Sequence, residues 1–296
     1  MSKAEPPAIR AHEDAVLFRE AVGFTAAETG FAARLIEKDY FCTVLLAYLS
    51  AAAGAELVFK GGTCLAKVHS ELYRLSEDLD YTIPVPADAK RKERSSQVES
   101  VKTALNGLKR AIPAFQVIDA LKGANRSTQY LAGVAYSSLL SEQKETIKIE
   151  ISLREPLITP AVNGEAQTLL RNPITNKPLV SPISLPCIAK AEALAEKFRA
   201  ALSRREPAVR DFYDIDHAVR KSGLQPESTA FVEQVRQKLA VPGNDPVDVS
   251  RERLAALRQQ VEPQLRSVLR EEDFSEFDLN RAFDIGVTMA KAVESR

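Results

Sequence analysis

The chain has 296 residues, 45% hydrophobic and 27% charged, with 12 Gly and 16 Pro, a composition that excludes disordered, fibrous and collagen-like classes. At roughly 150 residues per domain, this length predicts two domains, each able to bury its own core. Forty Lys and Arg balance forty Asp and Glu, so a nucleic-acid partner has to be held by local patches and not by overall charge.

From Thr25 to Ala53, apolar residues recur at helical spacing (Phe31, Leu35, Val44, Leu45, Tyr48, Leu49) without a proline, which predicts one long helix or two, buried on one face. Glu56 to Phe59 is a short apolar run bounded by glycine, a buried strand that leads through Gly61 and Gly62 into a helix over Thr63 to Tyr73. In a second strand Leu79, Tyr81 and Ile83 alternate with Asp78, Asp80 and Thr82, so the acids share one face. Residues 88–111 predict a charged surface helix, and Phe115–Ile118, Gln129–Tyr136 and Thr146–Arg154 predict further strands. The last of these has the cleanest alternation: Ile147, Ile149, Ile151 and Leu153 face one way, Lys148, Glu150, Ser152 and Arg154 the other.

Six of the sixteen prolines fall between Pro156 and Pro186, a stretch therefore expected to hold neither a regular helix nor a central strand and to carry the domain boundary. Residues 1–185 are the expected α/β lobe with N-terminal helices, and 186–296 a helical lobe. In the latter, Ile188, Ala191, Leu194, Ala195, Phe198, Ala201 and Leu202 form an apolar stripe, and segments around 211–221, 228–240, 250–269 and 276–293 repeat the style. No fixed-period repeat is present, which disfavours a solenoid.

Cys42, Cys64 and Cys187 are an odd number without a C-x-x-C pair, and only His12, His69 and His217 could join them, so a disulfide framework or a zinc site is not expected. The longest apolar stretch, Val44–Ala55, is too short for the roughly 20 residues of a membrane span. The N-terminus is polar without a signal-like apolar run, and a reducing cytoplasm is the expected compartment.

The chemistry concentrates between Phe59 and Tyr81. Adjacent glycines after a strand let backbone N–H groups approach a phosphate, and the following helix N-terminus adds partial positive charge. Thr63 can cap that helix or donate to phosphate, and Lys60 completes the phosphate-binding set Lys60, Gly61, Gly62 and Thr63. Asp78 and Asp80, two apart on a strand, place their carboxylates on one face; such a pair calls for a hard divalent cation with oxygen ligands. Glu150, alone among isoleucines, converges on them if its strand is a neighbour, and three acids suit one or two magnesium ions bridging triphosphate oxygens. Taken singly, a Gly-Gly pair is a turn, an Asp-x-Asp pair is solvated surface, and a glutamate on a polar strand face is ordinary.

The GGT…SEDLD arrangement, with IEKDY (Ile36–Tyr40), AEKFRA (Ala195–Ala200) and RDFYDI (Arg210–Ile215), resembles the AbiEii/AbiGii toxin family of nucleotidyltransferases over about residues 36–220. The family is a branch of the polymerase-beta-like superfamily that includes mycobacterial tRNA nucleotidyltransferase toxins. The resemblance implies an α+β fold: a polymerase-beta-like lobe with a mixed β-sheet, then a helical lobe, with nucleotide bound in the cleft between them. It implies metal ligation by Asp78 and Asp80, a third-motif lysine at Lys197 and a fourth-motif acid at Asp214 paired in sequence with Arg210. It also implies that Ser76 occupies the position of a serine whose phosphorylation blocks some relatives. Ala193 departs from the Thr or Arg common four residues before the lysine.

On its own pattern Lys197 lies at the edge of a buried stripe, where a snorkelling surface lysine is the ordinary outcome, and Lys190 shares its helix face. Asp211 and Asp214 could equally cap or pair with Arg210. Two basic clusters could receive nucleic acid: Lys90, Arg91, Lys92 and Arg94, and the better placed Arg204, Arg205 and Arg210. The expectation is a Mg2+- or Mn2+-dependent transfer of NMP from an NTP to a tRNA 3′ end, halting translation, with a cognate antitoxin as partner and no membrane. The alternatives are nucleotidylation of a protein or small molecule, or a non-catalytic, nucleotide-responsive binding module. His69 and the cysteines read as packing or surface residues.

Overall fold

The computed structural model describes residues 9–54 and 56–295. The polar segment 1–8 and Ala55, which ends the apolar stretch read above, lie outside the described residues. The chain forms two compact units, one up to Ile188 and one from Ala189.

In the first unit, the Asp14 carboxylate accepts from the N–H groups of Val16 and Leu17 and so starts α1 (Ala15–Thr29), and Gly30 ends it in the left-handed conformation (φ 75°). That break makes two helices rather than one, the second being α2 (Ala33–Ala53). The expectation of a single buried face fails for α2, because every residue from Leu35 to Ala47 is buried. It is a central helix. Phe41 stacks on Tyr136 with ring centroids 4.0 Å apart and meets Phe115 edge-on at 5.8 Å, seating the helix on the sheet.

Strand β1 (Val58–Lys60) runs directly into a helix that begins at Gly61 as α3 (Gly61–Cys64) and continues as a π-helical turn, Leu65–His69. The helix thus starts two residues earlier than expected and stops four earlier. After β2 (Leu79–Thr82), the charged segment breaks at Val98 into α4 (Arg91–Gln97) and α5 (Glu99–Ala111). Then come β3 (Phe115–Ala124), β4 (Gln129–Ser137) and β5 (Lys144–Ser152).

The proline-rich stretch supplies β6 (Val162–Ala166) and β7 (Ile183–Cys187), completing a seven-stranded sheet in the order β3-β4-β5-β2-β1-β7-β6. The β2–β5 and β1–β7 pairs are parallel and the others antiparallel, so the sheet is mixed as expected. The exclusion of a central strand between Pro156 and Pro186 is corrected, since β7 lies between β1 and β6. Proline is tolerated there because the ladder to β1 is a single pair, Phe59↔Cys187, followed by the Ile188 N–H donating to the Phe59 carbonyl at 2.9 Å. Across the sheet, register aligns Phe59, Tyr81, Ile151 and Tyr130 in one row of the buried face.

The second unit is helical: α6 (Lys190–Ser203), α7 (Val209–Arg220), α8 (Thr229–Leu239), α9 (Arg251–Gln260) with a π-helical turn to Leu265, α10 (Glu271–Glu276) and α11 (Leu279–Glu294). Apolar contacts set its core, with Phe198 edge-on to Phe231 and Phe212 stacked on Phe283. Charged pairs fix the helices in place. Lys238 of α8 reaches Glu192 (2.7 Å) and Glu196 (3.1 Å) of α6, all three being buried, and Arg281 of α11 grips Asp216 of α7 through two bonds of 2.7 and 2.9 Å. Among the described residues no helix is long and apolar enough to cross a membrane.

Candidate active site

The sheet brings together acids that the sequence leaves apart. Asp80 on β2 is the register partner of Lys60 on β1 and of Glu150 on β5, and partners in adjacent strands project from the same face. Lys60, Asp80 and Glu150 therefore form a cross-strand row opposite the buried Phe59–Tyr81–Ile151 row. Asp78, two residues before Asp80, lies just before the start of β2. All four are only partly buried, so the row is open to a ligand.

The glycine turn is built around one of these acids. Gly61 has φ 77°, and a Cβ placed on it would stand 2.7 Å from Asp80 Cβ and 2.8 Å from Cγ, nearer still to Oδ2. Only glycine lets the backbone lie against that carboxylate. Gly61, Gly62 and Thr63 then form the first turn of α3, whose N–H groups precede any intrahelical acceptor. Thr63 departs from its expected role: its buried hydroxyl donates to the Asp78 carbonyl at 2.5 Å, and no side chain caps the helix. Its place is to pin Asp78 beside the turn. Ser76 is half-buried two residues before Asp78, next to Glu77, whose carboxylate is held by Arg34 (2.9 Å) and Lys38 (3.6 Å) of α2.

In the helical unit Lys197 is not a snorkelling surface lysine. Its ammonium lies 2.8 Å from Asp211 Oδ1 and 2.9 Å from Asp214 Oδ2, with both acids buried on α7. Asp211 also meets Arg204 at 3.2 Å, and Arg210 donates to the Gln264 carbonyl at 3.3 Å. Lys190 is the first residue of α6. Of the basic clusters, Arg91, Lys92 and Arg94 lie on α4 with Lys90 as its N-cap, while Arg204 follows α6 and Arg210 lies on α7.

The IEKDY segment is a hub of buried polar contacts. Glu37 accepts from Ser138 Oγ and the Leu139 N–H, both at 2.6 Å, tying α2 to the end of β4. Lys38 bridges Glu77 and Glu145. Asp39 pairs with Lys67 Nζ at 2.6 Å and accepts from Thr168 Oγ1 at 2.6 Å, linking α2 to the helix after the glycine turn and to the segment after β6. Tyr40 takes up His12, its hydroxyl 2.8 Å from Nδ1. Lys67, unseen in the sequence, is the buried cation that anchors the glycine turn's helix to α2. Apolar neighbours at helical spacing hid it.

A second group missed by the sequence is Cys64, His69 and Cys187, whose candidate ligand atoms all lie within 4.8 Å of one another. Cys64 and His69 lie five residues apart on one helical segment, and only the tertiary structure brings Cys187 of β7 to them. Cys42 stays inert by contrast, full burial pushing its thiol up to about 12.

A family model described as nucleotidyl transferase AbiEii toxin, type IV TA system, matches residues 44–285. Among solved structures, JHP933 from Helicobacter pylori is similar at 16% identity, covering 89% of this chain and 94% of that one with a TM-score of 0.52, a likeness that shows the fold alone. A provisionally assigned nucleotidyltransferase from the same organism gives 18% identity, coverage of 88% and 91%, and a TM-score of 0.45. No curated protein matches the sequence significantly.

Proposed function

Because the chain belongs to the AbiEii nucleotidyl transferase toxin family of type IV toxin–antitoxin systems, we propose that it transfers NMP from an NTP to the 3′ end of tRNA and thereby halts translation. The observation that carries this reading is the Lys60–Asp80–Glu150 row with Gly61 laid against the Asp80 carboxylate and Thr63 holding Asp78.

Asp80 and Glu150 on one face, with Asp78 just before the strand, offer only oxygen donors, which fits a hard divalent cation and not a soft one. Asp78, Asp80 and Glu150 would hold Mg2+ or Mn2+, which when bound neutralises triphosphate charge and activates the acceptor hydroxyl. The chain's own groups do the rest. First-turn N–H groups of Gly61, Gly62 and Thr63, aided by Lys60, receive triphosphate oxygens and orient the α-phosphorus for in-line attack. As the acceptor oxygen bonds to the α-phosphorus, the bond to the β-phosphate breaks, pyrophosphate leaves, and the acceptor's proton passes to the acidic row. Lys197, which pairs with Asp211 and Asp214, is assigned the departing pyrophosphate's charge on the family motif alone. That lysine and Asp214 enter the reading through the family motifs. Arg204, Arg205 and Arg210 supply phosphate contacts for tRNA, and the cytoplasm, where tRNA and a cognate antitoxin reside, is the working compartment.

The test is incubation of the full chain with each of four α-labelled triphosphates and separate pools of tRNA, protein and small molecules. Label in tRNA, abolished in Asp78→Asn and Asp80→Asn variants, is the expected result. Label confined to protein or small molecules overturns the acceptor assignment, and undiminished transfer by both variants overturns the site.

A further inference from the structure

Cys64, His69 and Cys187 come from three parts of the first unit: α3 just after the glycine turn, the end of the π-helical turn, and the last residue of β7. Neither the proposed transfer nor its metal set uses them. Both cysteines are buried and neither is in a disulfide. We propose that these three side chains form a site for one Zn2+ ion, chemically separate from the carboxylate row.

Three observations carry the assignment. First, the sulfur and nitrogen atoms lie within 4.8 Å of one another. Zn–S bonds of about 2.3 Å and Zn–N bonds of about 2.0–2.1 Å in a tetrahedron set ligand separations of roughly 3.5–3.8 Å. Side-chain shifts of about 1 Å or less close that gap. Second, His69 Nε2 is 2.8 Å from the Ile188 carbonyl, so Nε2 carries the proton and, in the neutral ring, Nδ1 carries the lone pair. A metal-binding histidine is oriented in this way, its second ring nitrogen donating to a backbone carbonyl. Third, Gly164 on β6 packs directly on Val68 and the Cys187 sulfur, where a Cβ would stand only 2.7 Å from the sulfur and nearer still to Val68, so glycine lets β6 lie against the sulfur and fix its position.

Charge balance supports the geometry. Binding would form two Zn–S bonds and one Zn–N bond and release the thiol protons to solvent. Two thiolates and Zn2+ sum to zero charge, which suits a buried site better than a lone thiolate does. Two protein sulfurs and one nitrogen leave the fourth position to water. Because Cys64 follows Gly61-Gly62-Thr63 directly, the ion would staple the phosphate-binding turn to β7.

The experiment uses the reduced, chelator-stripped full chain titrated with Co2+ and then Zn2+. One equivalent of Co2+ should give thiolate-to-cobalt charge transfer and intense tetrahedral d–d bands, both displaced by one equivalent of Zn2+. Cys64→Ser, Cys187→Ser and His69→Ala should each weaken Zn2+ binding by more than about a hundredfold, the upper end of what losing an outer-shell partner costs. Cys42→Ala and Asp80→Asn should retain it, which separates this site from the acidic row. Should a cysteine variant fail to fold, X-ray absorption of the wild-type chain with one Zn2+ decides: two sulfurs at about 2.3 Å support the site. A shell of oxygen and nitrogen only, or charge transfer that survives in Cys64→Ser/Cys187→Ser, overturns it.

Discussion

Replacing Gly61 by alanine probes the geometry on which the proposed chemistry depends. At φ 77° an L side chain is strained, at a cost of about 1–2 kcal/mol. The new Cβ would also stand 2.7 Å from Asp80 Cβ, whereas carbon atoms rest at about 3.5–4.0 Å. Either the turn or Asp80 must therefore move by about 1 Å, a displacement that in a reacting constellation costs about a hundredfold in rate. Gly54 supplies the control, since its φ is 91° with nothing within 4 Å of a Cβ, so Gly54→Ala carries the strain without the collision. Gly54→Ala should melt lower by about 2–8 °C, from 1–2 kcal/mol in a unit of this size, and Gly61→Ala by more because the collision adds to the strain. Only Gly61→Ala should lose about a hundredfold in kcat/KM for labelled-nucleotide transfer. Circular dichroism melts and the transfer assay read the two effects separately. Wild-type turnover by Gly61→Ala, or an equal loss in Gly54→Ala, would refute the reasoning.

Lys67→Met strands the buried Asp39 carboxylate and should cost about 3–5 kcal/mol in urea unfolding of the full chain; a cost below about 1 kcal/mol would mean that the pair is not a buried anchor. Lys197→Met leaves Asp211 and Asp214 without their shared ammonium, so both stability and transfer should fall, whereas Lys197→Arg should restore stability ahead of activity; equal activity in both variants contradicts a role for the ammonium at the triphosphate. His12 has its pKa lowered mainly by burial. Its contribution to stability is therefore full above about pH 6.5, the unfolded value, and is lost as pH falls toward the lower folded value. His12→Gln should flatten the pH dependence of unfolding in that window, and an unchanged slope would contradict it. Ser76→Glu adds a carboxylate two residues from Asp78 and should depress transfer by repelling triphosphate; undiminished transfer would remove Ser76 as a control point.

Local chemistry was legible from the chain alone. The period-two alternation of Ile147, Ile149 and Ile151, the paired acids at Asp78 and Asp80, and the glycines after a short apolar run all arise between near neighbours, where backbone geometry maps sequence spacing directly onto a face or a turn. The helical half was equally plain, because a 3.6-residue stripe needs no distant partner to be seen. What the chain alone did not decide is adjacency. That β5 lies beside β2 and puts Glu150 level with Asp80, that the Thr63 hydroxyl turns to the Asp78 carbonyl, and that Lys197 meets two acids of α7 depend on which elements pack together. Pro186 shows the same limit: its strand sits inside the sheet because its contact with β1 is one residue pair long, a fact of pairing and not of propensity. That strand also carries Cys187 to Cys64 and His69. Strand order and register are set by burial of whole faces against one another, a property of the assembled fold that no local spacing encodes.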